Sequence, residues 1–126
     1  MEIYTGIDII ETKRIKKAIE NKKFIEKIYT KNEIEYCESK NNNAKIQSYS
    51  ARFAAKEAIF KATSKILEKE KRIKWQDIEI LKEKSGRPYA NLKINNEQKQ
   101  KIKIDISISH VKEYAIATAI VKYKDN

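Results

Sequence analysis

The sequence predicts an α+β fold, with helices packed on a mainly antiparallel sheet. Three observations predict it. A β-branched apolar run opens the chain, a long stretch free of Gly and Pro fills its middle, and four strand-like segments with little helix between them follow.

In chain order, residues 2–10, EIYTGIDII, are apolar and β-branched around one Gly and read as a strand. From Glu11 to about Asn21 the apolar residues Ile15, Ala18 and Ile19 recur at i, i+3 and i+4, which predicts a helix. Its opposite face carries Lys13, Arg14, Lys16 and Lys17. Thr30 and Glu33 have capping-box spacing, so a short helix is expected through Ile34 and Tyr36 to about Ser39. The polar run KNNN (40–43) is a loop or a helix entry, and the longest helical signal then runs from about Lys45 to Leu67, rich in Ala. EKEKRIK (68–74) is a charged connection. QDIEILKE (76–83) alternates as a strand, SGRP (85–88) supplies turn chemistry, and YANLKI (89–94) completes a hairpin. After a polar interval, KIDISIS (103–109) and YAIATAIVKY (114–123) are two more strands. Neither a repeat nor an internal boundary is visible, and residues 1–126 read as one domain.

A chain of 126 residues can bury a real core but is small for enclosing a deep two-substrate site, so completion of a site by oligomerisation is expected. The net charge of +10, from 28 Lys+Arg against 18 Asp+Glu, calls for an anionic partner: nucleic acid, membrane surface, phosphorylated ligand or acidic protein. Abundant Lys, Ile and Asn allow part of this charge to be solvated surface. Cys37 is the single cysteine, which excludes an intrachain disulfide, reads as a structural thiol and suits a cytoplasmic location. Glu2, Asp8 and Glu11 interrupt the N-terminus before any signal-peptide core forms, and no apolar run approaches the length of a membrane span.

The candidate chemistry centres on ARFAAKEAIFKA (51–62) in the long helix. At about 3.6 residues per turn, Phe53 and Phe60 lie one turn either side of Glu57, with Ile46 on the same side. A carboxylate among apolar side chains is costly to ionise unless a cation joins it. Lys61 at i+4 and a metal ion are the two available partners. Arg52 and Lys56 form an adjoining like-charge pair at i, i+4, better tolerated with an anion such as a phosphate between them. Asp8 breaks the run GIDII; its neighbours Ile7, Ile9 and Ile10 predict a strand covered on both faces, with Asp8 partly buried. Gly6 allows a backbone or a ligand to approach closely.

Two carboxylates from different elements, near Lys and Arg, suit Mg2+ bound to a pyrophosphate, because magnesium commonly keeps one or two protein carboxylates and fills its shell with phosphate and water oxygens. One His and one Cys are too few for a transition-metal site of that type. His110 ends a strand on which Ser107 and Ser109 share a side, and a lone histidine there is by default a surface residue.

These residues carry a resemblance. GIDII followed by ETKRI, RFAAKEAIFKA, WQDIEI (75–80), GRP (86–88) and SISH with a following YAIATA resemble, in order and approximate spacing, the holo-[acyl-carrier-protein] synthases, small bacterial phosphopantetheinyl transferases. The resemblance spans nearly the whole chain. It implies a homotrimer of α+β subunits with active sites at subunit interfaces. Asp8 and Glu57 match the magnesium ligands, and Lys61 matches a lysine on the coenzyme A phosphates. Arg52 and His110, with Ser109 beside them, match the nucleotide end of the coenzyme A site. Arg14, with Lys13 and Lys17, matches the surface that receives an acidic acyl carrier protein. The implied reaction is attack of a carrier-protein serine on the β-phosphate of coenzyme A, releasing 3′,5′-ADP. The proton acceptor stays open between Glu57, Asp8, a metal-bound water and His110. In one place the chain departs from the pattern: SKILEKEKRIK (64–74) lacks the glycine that relatives often carry there.

The alternative from another class is a basic, non-catalytic nucleic-acid-binding module, which would explain the charge and the aromatic-flanked strands. It gives no role to Asp8 or Glu57 inside apolar runs, and no nucleic acid is expected as partner.

Overall fold

A computed structural model describes residues 1–66 and 72–124. Strand β1 (Glu2–Glu11) leads into three short helices, α1 (Thr12–Ala18), α2 (Lys22–Ile28) and α3 (Lys31–Glu38), and then the long α4 (Asn42–Thr63). A 3-10 turn at Trp75–Asp77 precedes the antiparallel hairpin β2 (Ile78–Lys82) and β3 (Pro88–Leu92). Helix α5 (Asn96–Lys101), β4 (Ile102–His110) and β5 (Tyr114–Tyr123) follow. Strand β5 lies at the centre of a three-stranded antiparallel sheet in the order β1-β5-β4, its register running from Glu2 opposite Tyr123 to Glu11 opposite Tyr114.

Helix α4 lies against β1 and β5. Period-two alternation sends Ala115, Ala117, Ala119, Val121 and Tyr123 of β5 to the buried side. The helix answers with buried Ala54, Ala55, Ala58 and Ala62. Small residues on both surfaces bring the backbones together, most tightly at Gly6. A Cβ placed there would stand 1.9 Å from the Ala58 carbonyl oxygen and 2.8 Å from the Ala62 nitrogen.

The expected α+β layout, the hairpin and the long helix are all present. Thr30 and Glu33 form the expected capping box, with the Thr30 amide donating to Glu33 Oε1 at 2.8 Å. Helices α2 and α5 were not expected. Asn21 caps α2 by accepting from the Lys23 amide, and Phe24, Ile25 and Ile28 hold it to the core. Asn95 caps α5 in the same way, accepting from the Gln98 amide, although that helix buries none of its side chains. The long helix starts three residues earlier than its periodicity implies and closes at Thr63; Leu67 and most of the charged connection lie outside the described residues.

One expectation is corrected. Strand β1 is covered on one face only, because α4 occupies a single side of the sheet. Ile3, Ile7 and Ile9 are 61%, 56% and 62% exposed, and Ile120 and Tyr114 of β5 extend the same uncovered face. Asp8 is partly buried as expected, on the α4 side with Gly6 and Ile10.

Candidate active site

The close contact at Gly6 determines what happens two residues further along β1. It brings Asp8 against the last turns of α4, where Lys61 Nζ donates to the Ile7 carbonyl at 2.9 Å and to Asp8 Oδ1 at 3.3 Å. The Asp8 side chain is 16% exposed. Lys61 therefore turns to Asp8 across the helix–strand seam and forms no ion pair with Glu57, its i−4 neighbour. Glu57 is half-buried, and its carboxyl is pushed above the usual glutamate range, first by burial and then by the negative charge of Asp8. Lys61 and Arg14 offset part of that shift.

Two carboxylates that repel each other, with one ammonium shared between strand and helix, fit a hard cation with oxygen ligands. Among the described residues no group of three or more His, Cys, Asp and Glu is placed to hold a metal. A cation here would therefore take two protein carboxylates and complete its shell from phosphate and water, which is the behaviour of magnesium and not of zinc.

Glu57 opens into a cavity of about 580 Å³, walled by Phe60 of α4, by Ser64 just past its end and by residues 72–75. The Trp75 ring meets Phe60 edge-on with centroids 4.9 Å apart and stacks on Phe53 at 5.3 Å. Arg72 and Lys74 make the rim basic. Of the two phenylalanines flanking Glu57 in sequence, only Phe60 reaches the cavity, while Phe53 is buried between Trp75 and Phe24.

A second cavity, of about 220 Å³, is lined by Ser48 and Arg52 of α4, by Lys82, by the turn residues Gly86 and Pro88, and by His110. The buried Arg52 guanidinium lies 4.3 Å from the Tyr36 ring centroid, and its Nε has no hydrogen-bond partner among the described residues. The Lys82 ammonium lies beside Tyr36 and draws that phenol below its ordinary value. Ser109 is not part of this wall, because strand alternation turns it to the opposite face from His110. The two cavities share no lining residue among those described, so Glu57 opens into a different cavity from Arg52 and His110 within one chain.

The family described as the 4′-phosphopantetheinyl transferase superfamily matches residues 4–119, a span that takes in both cavities. The chain belongs to this superfamily. A holo-[acyl-carrier-protein] synthase of Ruminiclostridium cellulolyticum is 46% identical, covering 100% of this chain and 96% of the relative. Among solved structures, a holo-(acyl-carrier-protein) synthase from Bacillus anthracis in complex with CoA (3′,5′-ADP) superposes with a TM-score of 0.79 at 31% identity, covering 96% of each chain. The Helicobacter pylori holo-[acyl-carrier-protein] synthase in complex with coenzyme A has a TM-score of 0.75 at 30% identity, covering 94% of this chain and 99% of that one.

Within this phosphopantetheinyl transferase, the anion beside Lys56 comes from the protein, while Arg52 faces the Tyr36 ring. Lys56 is fully buried and its ammonium donates to Glu33 Oε1 at 2.6 Å, so a protein carboxylate takes that place. Nothing in the sequence links residues 23 positions apart in this way. Lys45, near the start of α4, pairs with Glu38 at 2.7 Å. Lys13, Arg14 and Lys17 are exposed on α1, and the Arg14 charge is felt at Glu57, so the basic face adjoins the carboxylates. Cys37 is buried, and burial pushes its thiol up to about 12, which suits a structural role.

Proposed function

We infer that this chain transfers the 4′-phosphopantetheine group of coenzyme A to a serine of apo-acyl carrier protein, releasing 3′,5′-ADP. The observation that carries this reading is the juxtaposition of Asp8, Lys61 and Glu57 beside a basic-rimmed cavity. It occurs in a chain that matches the superfamily from residue 4 to residue 119. Residues 1–126 act as one phosphopantetheinyl transferase domain, working in the cytoplasm.

In the reaction, the serine oxygen forms a bond to the β-phosphorus, and the bond from that phosphorus to the bridging oxygen breaks. The electron pair leaves with 3′,5′-ADP, and the serine proton passes to a base in the cluster. Phosphoryl transfer of this kind depends on positioning and charge neutralisation. Asp8 and Glu57 would hold Mg2+, which when bound neutralises the pyrophosphate and favours departure of the nucleotide. Lys61 fixes the Asp8 carboxylate and adds positive charge next to the reacting phosphate. Arg52 and His110 receive the nucleotide end of coenzyme A.

Because Glu57 lines one cavity and Arg52 with His110 another, the site works across a subunit boundary in a homotrimer. The uncovered isoleucines of β1 supply apolar surface for that assembly. Ile7→Glu is expected to give monomers in sedimentation and to lose transfer, whereas a fully active monomer would reject the shared site. An acidic acyl carrier protein docks on Arg14, Lys13 and Lys17. Reversing one such rim charge costs about 1–2 kcal/mol, or about tenfold in affinity. Arg14→Glu is thus expected to raise KM for the carrier protein about tenfold with coenzyme A binding unchanged; equal losses for both ligands would reject the docking face.

The deciding assay incubates the protein with coenzyme A, apo carrier protein and Mg2+, Mn2+ or a chelator, and follows carrier mass. A gain of the phosphopantetheine arm with metal alone is expected. No gain with any divalent metal would overturn the reading.

A further inference from the structure

We propose that Lys56, which reaches neither cavity, is a positioning residue that sets the Trp75 wall of the coenzyme A site. The proposal rests on the transfer reading above and deepens it. Lys56 and Glu57 are consecutive on α4 and so project about 100° apart: Glu57 opens into the cavity, and Lys56 is fully buried beside it. All three ammonium donors are used, on Glu33 Oε1 at 2.6 Å, the Ile28 carbonyl at 2.7 Å and the Trp75 carbonyl at 3.1 Å. Both Glu33 oxygens are engaged in turn. Its Oε1 also accepts from the Thr30 amide and its Oε2 accepts from the Ile80 amide, each at 2.8 Å.

The pair therefore grips the segment from Trp75 to Ile80 at both ends, by a backbone acceptor at one and a backbone donor at the other. Gln76 adds a tether between them, donating to the Tyr29 carbonyl at 3.1 Å and to the Glu26 carbonyl. Held in this way, the Trp75 ring sits edge-on to Phe60, one turn from Glu57, and closes one side of the cavity. A buried ion pair is a poor means of adding stability, since well-packed apolar residues of similar volume often do better. Its directional bonds do what apolar packing does not: they fix where a chain segment stands relative to the reacting carboxylates.

The test uses the full-length protein and the fact that Trp75 is its only tryptophan, so that intrinsic emission reports the wall directly. The double substitution Lys56→Met with Glu33→Gln removes both charges together and avoids stranding one of them. In the folded double variant, Trp75 emission is expected to shift to longer wavelength and to lose its response to coenzyme A. KM for coenzyme A is expected to rise about tenfold while KM for the carrier protein stays the same. Gln76→Ala, which removes an exposed tether, gives a second measurement if the double variant does not fold. It should raise KM for coenzyme A two- to threefold with an unchanged Tm. Wild-type emission and KM in the folded double variant, or in Gln76→Ala where that is the only folded variant, would overturn the proposal. A wild-type protein inactive in transfer, whose Trp75 emission answers to coenzyme A and loses that answer in the double variant, would overturn the transfer reading alone.

Discussion

Asp8→Ala and Glu57→Ala are each expected to lower phosphopantetheine transfer by about a thousandfold or more, with the fold retained, because each removes half of the carboxylate pair proposed to hold the metal. Carrier-protein mass after a fixed time reads the loss, and circular dichroism reads the fold. Near-normal turnover in either variant with magnesium present would reject the assignment of both carboxylates. The same site carries a stability signature of opposite sign. Burial and Asp8 raise the Glu57 carboxyl above its unfolded value. Between the two values the folded protein holds a proton that the unfolded chain has released, so stability falls as pH rises through that window. Above it the full penalty is present, and below it the penalty is gone. Glu57→Gln is therefore expected to raise the Tm of the metal-free protein at neutral pH by about 1–2 °C, a small effect because the carboxyl is partly solvated. In acid, below the usual glutamate range, the two proteins should melt together. An equal or lower Tm for Glu57→Gln at neutral pH would show that the carboxylate carries no burden there.

The largest loss of stability is expected at Gly6→Ala. The added methyl would meet the Ala58 carbonyl oxygen at 1.9 Å, and a backbone atom inside a helix cannot swing aside as a side-chain tip can. Helix α4 would have to lift from β1. Overpacking of this kind costs about 3 kcal/mol or more, lowering Tm by about 10 °C or more in a domain of this size. Gly86→Ala is the control. That position has open space around it and only a φ of +93° to satisfy, so a cost of about 1 kcal/mol is expected. Equal melting curves for the two variants would mean that the seam is less tight than the geometry of Gly6 requires. Loss of transfer at Gly6→Ala should accompany the loss of stability, because the same contact brings Asp8 to Lys61.

Much of this was legible in the residues. Period-two alternation in YAIATAIVKY located β5 at its observed limits, and the Thr30–Glu33 spacing located a helix start, because both signals are local. Asp8 and Glu57 stood out as carboxylates in apolar runs, and the structure brings them within electrostatic reach. What the residues did not reveal depends on contacts distant in sequence. Helix α2 is a short segment stabilised by its Asn21 cap and by packing on the core, and it has too few residues for a periodicity to register. Lys61 was one of two partners open to Glu57 along the helix, but the Gly6 contact brought it a closer carboxylate on β1. Lys56 looked like half of a phosphate site, since its counter-ion lies on another helix. The isoleucines of β1 read as covered because apolar composition does not say whether the cover comes from the same chain.

The dual use of Glu33 has a consequence for how the molecule breathes. Helix α3 is eight residues long, and a helix of that length frays readily when left to itself. Here the carboxylate that closes its first turn is also, among the described residues, the acidic partner bonded to a fully buried ammonium and the acceptor for the Ile80 amide. Fraying that turn would leave a charge unpaired in the core, so α3 cannot open by itself. Its first-turn amides are tied to the opening of the core, and they are expected to exchange with solvent hydrogen on the schedule of global unfolding. One side chain thereby merges a marginal helix and the wall of the site into a single cooperative unit.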